Sequence, residues 1–238
     1  MIVALLQGRM SSSRLPGKVL KPLVGEPMIY RQIERIKRSK TIDKLIVATS
    51  TESSDDAIEQ FCKARRIEYF RGDLNNVLSR YYHAALSVNA TTVVRLTADC
   101  PVIDSNVIDA IVTKHVEEGN DYTSNTRPPT FPDGLDCEVI QFSVLEKAHF
   151  EATSDFDKEH VTPYITHHCE VFKVACYQNS EDLSHHRWTV DNPEDFALVE
   201  FIYNQLYGNN PQFSSEDIYA LLDKHPEVYR LNRHLIAM

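Results

Sequence analysis

The stretch QGRMSSSRLPGKVL, residues 7–20, carries three serines, two arginines and a lysine directly after an apolar run. Gly8 and Gly17 permit unusual backbone angles, and the small serines let backbone N–H groups point into a common space. The arginines suit bidentate contacts with phosphate oxygens, while Lys18 supplies a compact positive charge. This combination predicts a phosphate-binding loop; the alternative is a solvated, positively charged loop that binds no ligand.

Two common phosphate loops do not fit this stretch. A P-loop has glycine where Ser12 stands, and it has serine or threonine where Val19 follows the lysine. The Gly-x-Gly-x-x-Gly fingerprint of dinucleotide-binding folds is also absent. These departures count against an ATPase and against a dehydrogenase.

Two distant aspartates follow segments that read as strands. Asp99 comes after TTVVRLTA and precedes Pro101, and Asp191 comes after RWTV. If both strands lie beside the first one, the two carboxylates meet near the phosphate loop, as a divalent cation that bridges phosphate oxygens requires. Mg²⁺ is therefore the predicted cofactor. The alternative is structural, with Asp99 in a turn and Asp191 supporting the cap of the next helix.

The segments that must position these residues alternate between two patterns. Short apolar, β-branched runs at residues 2–6, 44–49, 67–70 and 91–97 are separated by segments with helical spacing. That alternation is typical of βαβ crossovers, which build a parallel sheet with helices on both faces. We therefore predict an α/β fold, with the phosphate loop at the carboxyl end of the first strand, where open α/β sheets bind ligands.

The pattern loosens after about residue 120, where proline and glycine interrupt it. Asn192 as N-cap, Pro193 at the first helical position, and Gly208 with Pro211 beyond the end specify one clear helix. Further strands are predicted at residues 121–126, 135–142, 171–177 and 187–190, with a loop at 127–134.

Composition limits the classes of protein that the chain can belong to. Its 238 residues, 42% of them hydrophobic, can bury one substantial core, so we expect one domain. The net charge of -9 argues against a nucleic-acid-binding surface, and no run approaches the ~20 apolar residues of a membrane span. Five scattered cysteines, odd in number, are typical of reduced thiols. The expectation is a soluble, cytoplasmic protein.

Five segments, in this order, resemble the cytidylyltransferase family that includes the CMP-sugar-acid synthetases, and most of all its subgroup of spore coat polysaccharide biosynthesis proteins. They are RMSSSRLPGKVL, VVRLTADCPVID, FPDGLDCEVI, DKEHVTPYI and RWTVDNPEDFALV. The resemblance implies a Rossmann-like nucleotidyltransferase fold, mostly a parallel sheet, that spans residues 1–238 as a single domain. Residues 120–180 would be a small irregular excursion that binds the acceptor or forms a homodimer.

The resemblance also implies roles for single residues. Arg14, Lys18 and Asp99 would be catalytic, the first two by holding the triphosphate, and Asp99 and Asp191 would bind magnesium. Residues 70–85 and Thr97 depart from the better-known sugar-acid enzymes, so base choice and sugar choice are the least determined features. The residues expected at the nucleotide are Gln7, Gly8, Arg9, Ser11, Ser12, Ser13, Arg14, Lys18 and Thr97.

The acceptor side rests on fewer signals. Asp136 and Glu138 share one face of a predicted strand and could bind sugar hydroxyls or help to deprotonate one. His160 could contact the acceptor or act as a base near neutral pH. Arg71 or Arg80 could receive an acceptor carboxylate. The alternative for all five residues is structural. Asp136 and Glu138 would form a polar strand edge, and His160 would be a structural histidine. Arg71 and Arg80 would be solvated surface charges.

Three functional hypotheses follow. The first is transfer of CMP from CTP to a sugar acid or related surface-polysaccharide precursor, with release of pyrophosphate. The second is a sugar-1-phosphate nucleotidyltransferase or a glycosyltransferase on a similar sheet. An Asp-x-Asp metal motif would favour the glycosyltransferase, but the segment TADCP contains one aspartate and so lacks this motif. The third is a non-catalytic nucleotide-binding subunit, which would have no need of two metal-binding carboxylates.

Overall fold

The computed structural model describes residues 1–236 as a layered arrangement of strands and helices. The strands are β1 (Ile2–Gln7), β2 (Pro22–Leu23), β3 (Glu26–Pro27), β4 (Lys44–Ser50), β5 (Tyr69–Gly72), β6 (Thr92–Thr97), β7 (Tyr122–Ser124), β8 (Glu138–Gln141) and β9 (Val174–Cys176). The α-helices are α1 (Met28–Ile36), α2 (Asp56–Arg65), α3 (Val77–Ser87), α4 (Ser105–Glu118), α5 (Phe142–Glu151), α6 (Asp155–His160), α7 (Pro163–His167), α8 (Pro193–Leu206), α9 (Ser215–Lys224) and α10 (Pro226–Tyr229). Short 3-10 helices span Lys18–Leu20, Ser53–Asp55 and Arg233–Leu235.

A seven-stranded sheet in the order β5-β4-β1-β6-β8-β7-β9 forms the centre of the fold. Adjacent strands are parallel except at β8, which is antiparallel to both of its neighbours. Six of the seven strands therefore run the same way, which confirms the predicted α/β class and its mostly parallel sheet. The carboxyl ends of β1 and β6 lie side by side, because Gln7 pairs with Thr97.

Helices cover both faces of this sheet, as the continuous apolar runs predict. Along β1, Val3 and Leu5 pack towards α3 and α5, whereas Ala4 and Leu6 pack towards α1, α2 and α4. All four side chains are fully buried. Alternate residues of a strand point to opposite faces, so a strand buried on both sides needs apolar residues at every position.

Residues 120–180 are more regular than the sequence suggested. They supply β7, β8 and β9, which complete the central sheet beyond β6, together with α5, α6 and α7. The predicted excursion is thus partly an extension of the sheet itself. Its consequence for the site is the antiparallel strand β8, which runs beside β6 and brings Glu138 opposite Arg95.

The C-terminal part confirms one prediction and corrects another. Helix α8 begins after Asn192 as predicted, and the Asp195 carboxylate accepts a hydrogen bond from the Asn192 backbone N–H at 2.9 Å. Residues 187–190 do not form a strand. Their backbone is extended, but it pairs with loop residues: Trp188 N–H donates to the carbonyl of Asp133 and Val190 N–H to that of Asp99. Loops provide no continuous edge, so no ladder forms.

Across the described residues, we found no helix that combines the length and the apolar character needed to cross a membrane.

Candidate active site

A cavity of about 240 Å³ opens at the carboxyl ends of β1 and β6, where the predicted phosphate loop begins. It brings the loop, Asp99 and Asp191 to one place, although Asp99 and Asp191 are 92 residues apart in the chain. Of the predicted nucleotide-binding residues, Ser11 lies outside the lining. The lining consists of Gln7, Gly8, Arg9, Ser12, Ser13, Arg14, Lys18, Val19, Thr97, Ala98, Asp99 and Asp191. We call this space the phosphate cavity.

The loop is held in shape by a buried carboxylate that the sequence did not reveal. Asp55 is fully buried and accepts hydrogen bonds from the backbone N–H of Met10 at 2.7 Å and from the hydroxyl of Ser50 at 2.5 Å. Gly17 adopts a φ of 72°, as the loop prediction requires, and its N–H donates to the carbonyl of Met10. Gly8 is needed for space instead, because a Cβ there would lie 3.0 Å from that of Ala98.

Lys18 lies between the two aspartates. Its Nζ donates to Asp99 Oδ2 at 3.3 Å, to Asp191 Oδ1 at 2.9 Å and to the carbonyl of Val190 at 2.7 Å. These contacts use all three donors of the ammonium group. Lys18 thus holds the two carboxylates together, and binding of a triphosphate by this side chain requires that it exchange one of these partners.

Asp191 lies at the centre of the charged network. Arg14 lies 3.1 Å from its Oδ1, and Arg187 donates to its Oδ2 at 3.0 Å. Burial by itself raises the pKa of this carboxyl, but hydrogen bonds from Lys18 and Arg187, with the charge of Arg14 nearby, outweigh burial and hold the pKa below its ordinary value. Asp191 is therefore ionised at neutral pH, the state in which a carboxylate binds a cation.

The two aspartates offer oxygen donors of the kind that a magnesium ion shared with a nucleotide would require. Both carboxylates reach the same point, since each lies within 3.3 Å of Lys18 Nζ, and both line the phosphate cavity. Within residues 1–236, no cluster of three or more metal-ligating side chains is present. Mg²⁺ commonly takes one or two carboxylates and completes its shell with phosphate oxygens and water, so this donor set is sufficient.

A second cavity of about 330 Å³ adjoins the first one at Thr97, which lines both. We call it the acceptor cavity. Its walls come from β6, the loop before β8, and the segment that contains α6 and the start of α7. Its lining consists of Arg95, Thr97, Thr126, Arg127, Asp136, Glu138, Phe156, His160, Thr162 and Pro163.

Glu138 forms the floor of the acceptor cavity and is fully engaged there. It pairs with Arg95 and accepts hydrogen bonds from Tyr122 Oη at 2.5 Å and Thr162 Oγ1 at 2.9 Å. Burial raises the pKa of this carboxyl, yet the charge of Arg95 and the two hydroxyl donors keep it below its ordinary value. Glu138 is thus a permanent anion with its own partners, which favours a structural role within the predicted acceptor set.

Asp136 and His160 are the predicted acceptor residues with free polar groups. Both side chains are exposed to the acceptor cavity. The ring of His160 lies 4.5 Å from that of Phe156, centroid to centroid. Within residues 1–236, neither side chain forms a hydrogen bond or an ion pair with another residue, so both are available to a ligand.

The structure does not bring Arg71 and Arg80 to the acceptor cavity. Arg71 lies on β5, at the far edge of the sheet, where it forms ion pairs with Asp56 at 2.7 Å and with Glu59. Arg80 is buried, and its guanidinium donates to the carbonyl of Asp73 at 2.6 Å. Both arginines therefore have structural partners, and the prediction that either receives an acceptor carboxylate is not supported by their position.

Sequence reasoning missed several residues that line or support the two cavities. Arg187 joins Asp133, Asp191 and Asp195, and its spacing of four residues to Asp191 was the available signal. No spacing in the sequence connects the segments that line the acceptor cavity, because they come from strands, helices and a loop that are distant in the chain. The overlooked lining residues are Arg95, Thr126, Arg127, Phe156, Thr162 and Pro163.

Comparison with known proteins places the chain in a family. The family model described as Cytidylyltransferase matches residues 3–206. The chain belongs to the cytidylyltransferase family. This confirms the resemblance found in the five sequence segments, and the family consists of nucleotidyltransferases.

Individual relatives agree with the family assignment. The chain is 32% identical over 234 residues to the spore coat polysaccharide biosynthesis protein SpsF of Bacillus subtilis (strain 168), covering 95% of this chain and 96% of that protein. A cytidylyltransferase structure from Leptospira borgpetersenii has a TM-score of 0.91 at 32% identity and covers 96% of both chains. CMP:2-keto-3-deoxy-manno-octonic acid synthetase complexed with CTP has a TM-score of 0.64 at 17% identity, over 86% of this chain and 98% of that one. This last likeness supports the predicted nucleotidyltransferase fold.

Proposed function

We propose that this cytidylyltransferase transfers CMP from CTP to a sugar acid or a related surface-polysaccharide precursor and releases pyrophosphate. The observation that carries the proposal is the junction of the two cavities at Thr97. One cavity is lined by cations and paired carboxylates that suit a triphosphate, and the other by polar groups that suit a hydroxylated acceptor. A nucleotide and an acceptor bound side by side are what a group transfer between them requires.

The chemistry needs little covalent participation from the protein. A hydroxyl oxygen of the acceptor attacks the α-phosphorus and forms a new P–O bond, while the bond to the β-phosphate oxygen breaks and pyrophosphate leaves from the opposite side. The hydroxyl proton passes to a base. The protein has to align the two oxygens and to offset the negative charge that builds up on the α-phosphate and the leaving group.

The residues of the phosphate cavity supply this charge. Arg14 is 58% exposed and can reach a triphosphate without unfolding the loop, and Arg9 lines the same space. We propose Asp99 and Asp191 as the residues that hold Mg²⁺, which when bound would neutralise charge on the phosphate oxygens. Lys18 keeps both carboxylates aimed at the cavity before the nucleotide binds.

Arg127 is our candidate for the carboxylate of a sugar acid. It lines the acceptor cavity, is exposed, and forms no ion pair with any residue in 1–236. Arg95, the other arginine there, is already paired with Glu138. An unpaired guanidinium can make two parallel hydrogen bonds to a carboxylate, which distinguishes an acid from a neutral sugar.

We also propose that the protein acts as a homodimer in the cytoplasm, the compartment that holds CTP. Support for a dimer comes from Phe150 and Val171, which are large apolar side chains exposed in the segment 120–180. Light scattering after gel filtration tests the assembly state. A monomeric mass at micromolar concentration would contradict the dimer.

A pyrophosphate-release assay tests the proposed function. Each of the four nucleoside triphosphates is offered with a panel of keto-sugar acids and sugar 1-phosphates, with and without Mg²⁺. We expect turnover with CTP, Mg²⁺ and a sugar acid. Turnover with a sugar 1-phosphate would indicate the second hypothesis, and binding of CTP without turnover of any acceptor would favour a non-catalytic subunit.

A further inference from the structure

Asp136 lines the acceptor cavity, which also contains Thr97. In the antiparallel pair of β6 and β8, Arg95 is opposite Glu138. The pairing ends there, but Asp136, two residues before Glu138, and Thr97, two residues after Arg95, both line the acceptor cavity, and Thr97 also lines the phosphate cavity. Asp136 also borders a third cavity of about 540 Å³. Its carboxylate thus lines the same cavity as Thr97, the residue at which the acceptor cavity and the phosphate cavity join.

Asp136 is also the carboxylate without a protein partner in this region. Glu138 is paired with Arg95, and Asp133 is paired with Arg187 at 2.6 Å. Asp99 and Asp191 share Lys18. Asp136 makes no ion pair and accepts no hydrogen bond from residues 1–236, although it is in contact with the solvent of the cleft. Its oxygens are therefore available to a ligand in the acceptor cavity.

We propose that Asp136 is the general base of the reaction, which takes the proton from the attacking hydroxyl of the acceptor. This inference rests on the proposed cytidylyl transfer and adds the group that starts it. As the acceptor oxygen bonds to the α-phosphorus, its proton moves to an Asp136 oxygen. The neutral carboxylic acid then releases this proton to solvent through the open cleft, so charge and atoms balance over one turnover.

The surroundings of Asp136 suit a base that works near neutral pH. Protein encloses the cleft on most sides, and this burial, with repulsion from Asp133, Glu138 and Asp99, raises the pKa of the Asp136 carboxyl to about 7. Arg95 opposes the shift. Burial is the largest of these causes and does not depend on whether a cation occupies Asp99. The other titratable or charged side chains along the two cavities that it borders are Arg127, His160, His185, His186 and Arg187.

The sign of the pH dependence follows from this role. The base must be ionised to accept a proton, so turnover should fall as the pH drops below the pKa of Asp136. A general base typically contributes about 10²–10⁴-fold in rate. Asp136→Asn keeps the shape of the side chain but cannot accept the proton. We therefore expect kcat to fall by roughly 10²-fold or more and to lose its acid limb, with little change in the acceptor KM.

The decisive experiment compares Asp136→Asn with Glu159→Gln, which makes the same charge change on an exposed carboxyl outside the lining. Both kcat and KM are measured over about two pH units on each side of neutrality, after CTP binding has shown that each variant is folded. Glu159→Gln should match the wild type. Wild-type kcat and acid limb in Asp136→Asn, or loss of the limb in His160→Gln instead, would overturn the assignment.

A second measurement keeps this inference separate from the proposed function. Carbon-13 NMR of carboxyl groups, compared between wild type and Asp136→Asn, identifies the Asp136 signal and its titration without any turnover. If no acceptor reacts with the wild-type protein, the proposed function fails. The titration still tests whether the Asp136 carboxyl has the pKa that the proposed general base requires. An Asp136 signal that titrates near neutrality supports the assignment of this residue as the general base. A signal that titrates near the ordinary pKa of aspartate overturns it, because a carboxylate with so low a pKa is too weak a base to take the proton of a hydroxyl group.

Discussion

The phosphate cavity and the acceptor cavity share one wall but differ in how their charges are satisfied. In the phosphate cavity, cations and carboxylates are already joined to one another through Lys18 and Asp191. In the acceptor cavity, one ion pair forms the floor, while Asp136, Arg127 and His160 remain free. The first site is assembled before its ligand arrives; the second presents separate groups to a ligand.

The difference follows from the elements that build the two sites. The phosphate cavity lies at the ends of parallel strands, where several loops converge and their charges have to neutralise one another in partly buried positions. The acceptor cavity lies between an antiparallel strand and a short helical segment, and it is open to water on one side. Exposed groups there need no protein partner, and they are therefore free to select a substrate.

The largest expected effect is a loss of stability when the ion pair at the floor of the acceptor cavity is broken. Arg95→Met leaves the Glu138 carboxylate buried without its cation, and loss of one partner of a buried pair costs about 3–5 kcal/mol in unfolding free energy. Chemical denaturation measures this loss. The double variant with Glu138→Gln should recover a large part of it, and equal stabilities of the single and double variants would show that the pair is not coupled.

The next largest expected effect is a loss of turnover when a carboxylate of the phosphate cavity is removed. Asp99→Asn removes one of the two carboxylates that share Lys18 and should lower turnover by about 10²-fold or more. The backbone contacts of Asp99 with residues 189 and 190 remain, so the melting temperature should change little. Pyrophosphate release under saturating CTP and acceptor measures the change. Wild-type turnover with a normal melting temperature would contradict the role of this cavity.

Arg127 tests selectivity in the acceptor cavity. Arg127→Ala should raise the KM for a sugar acid by roughly tenfold to a hundredfold, the value of one charged hydrogen-bonded contact of about 1.5–3 kcal/mol. The KM for CTP should stay the same, because Arg127 does not line the phosphate cavity. Initial-rate kinetics with each substrate varied in turn separates the two. An equal rise in both values would mean that the cavities are not independent.

The smallest expected effect is the loss of stability when Arg71 is replaced. Its ion pairs with Asp56 and Glu59 lie at the far edge of the sheet, and partly exposed pairs contribute about 0.2–1 kcal/mol. Arg71→Gln should therefore cost at most about 1 kcal/mol of stability and leave the acceptor KM unchanged. Denaturant titration and initial rates check both. A raised acceptor KM would restore the original prediction for this residue.

The predictions from the sequence were most accurate for segments whose local residue pattern agrees with their place in the fold. Strand β1, the loop after it and helix α8 were correct because apolar runs, glycines and caps act over a few residues. Residues 187–190 alternate like a strand, but their partners are the loops at Asp99 and Asp133, and no local signal shows which edge a segment will meet. Arg71 was a candidate because it lies in the variable segment 70–85, and its ion pairs with residues of α2 could be seen only in the structure.

The sequence by itself determined the fold class, the position of the loop after the first strand and the family, because these depend on residue types at fixed short spacings. Only the tertiary structure decided which charges are free. Glu138 and Asp136 look alike in the sequence, two residues apart on one face, yet one is paired with Arg95 and the other is unpaired in the lining of the acceptor cavity. The reason is physical: the pKa and availability of a carboxylate depend on the groups around it in space, and here those groups come from distant parts of the chain.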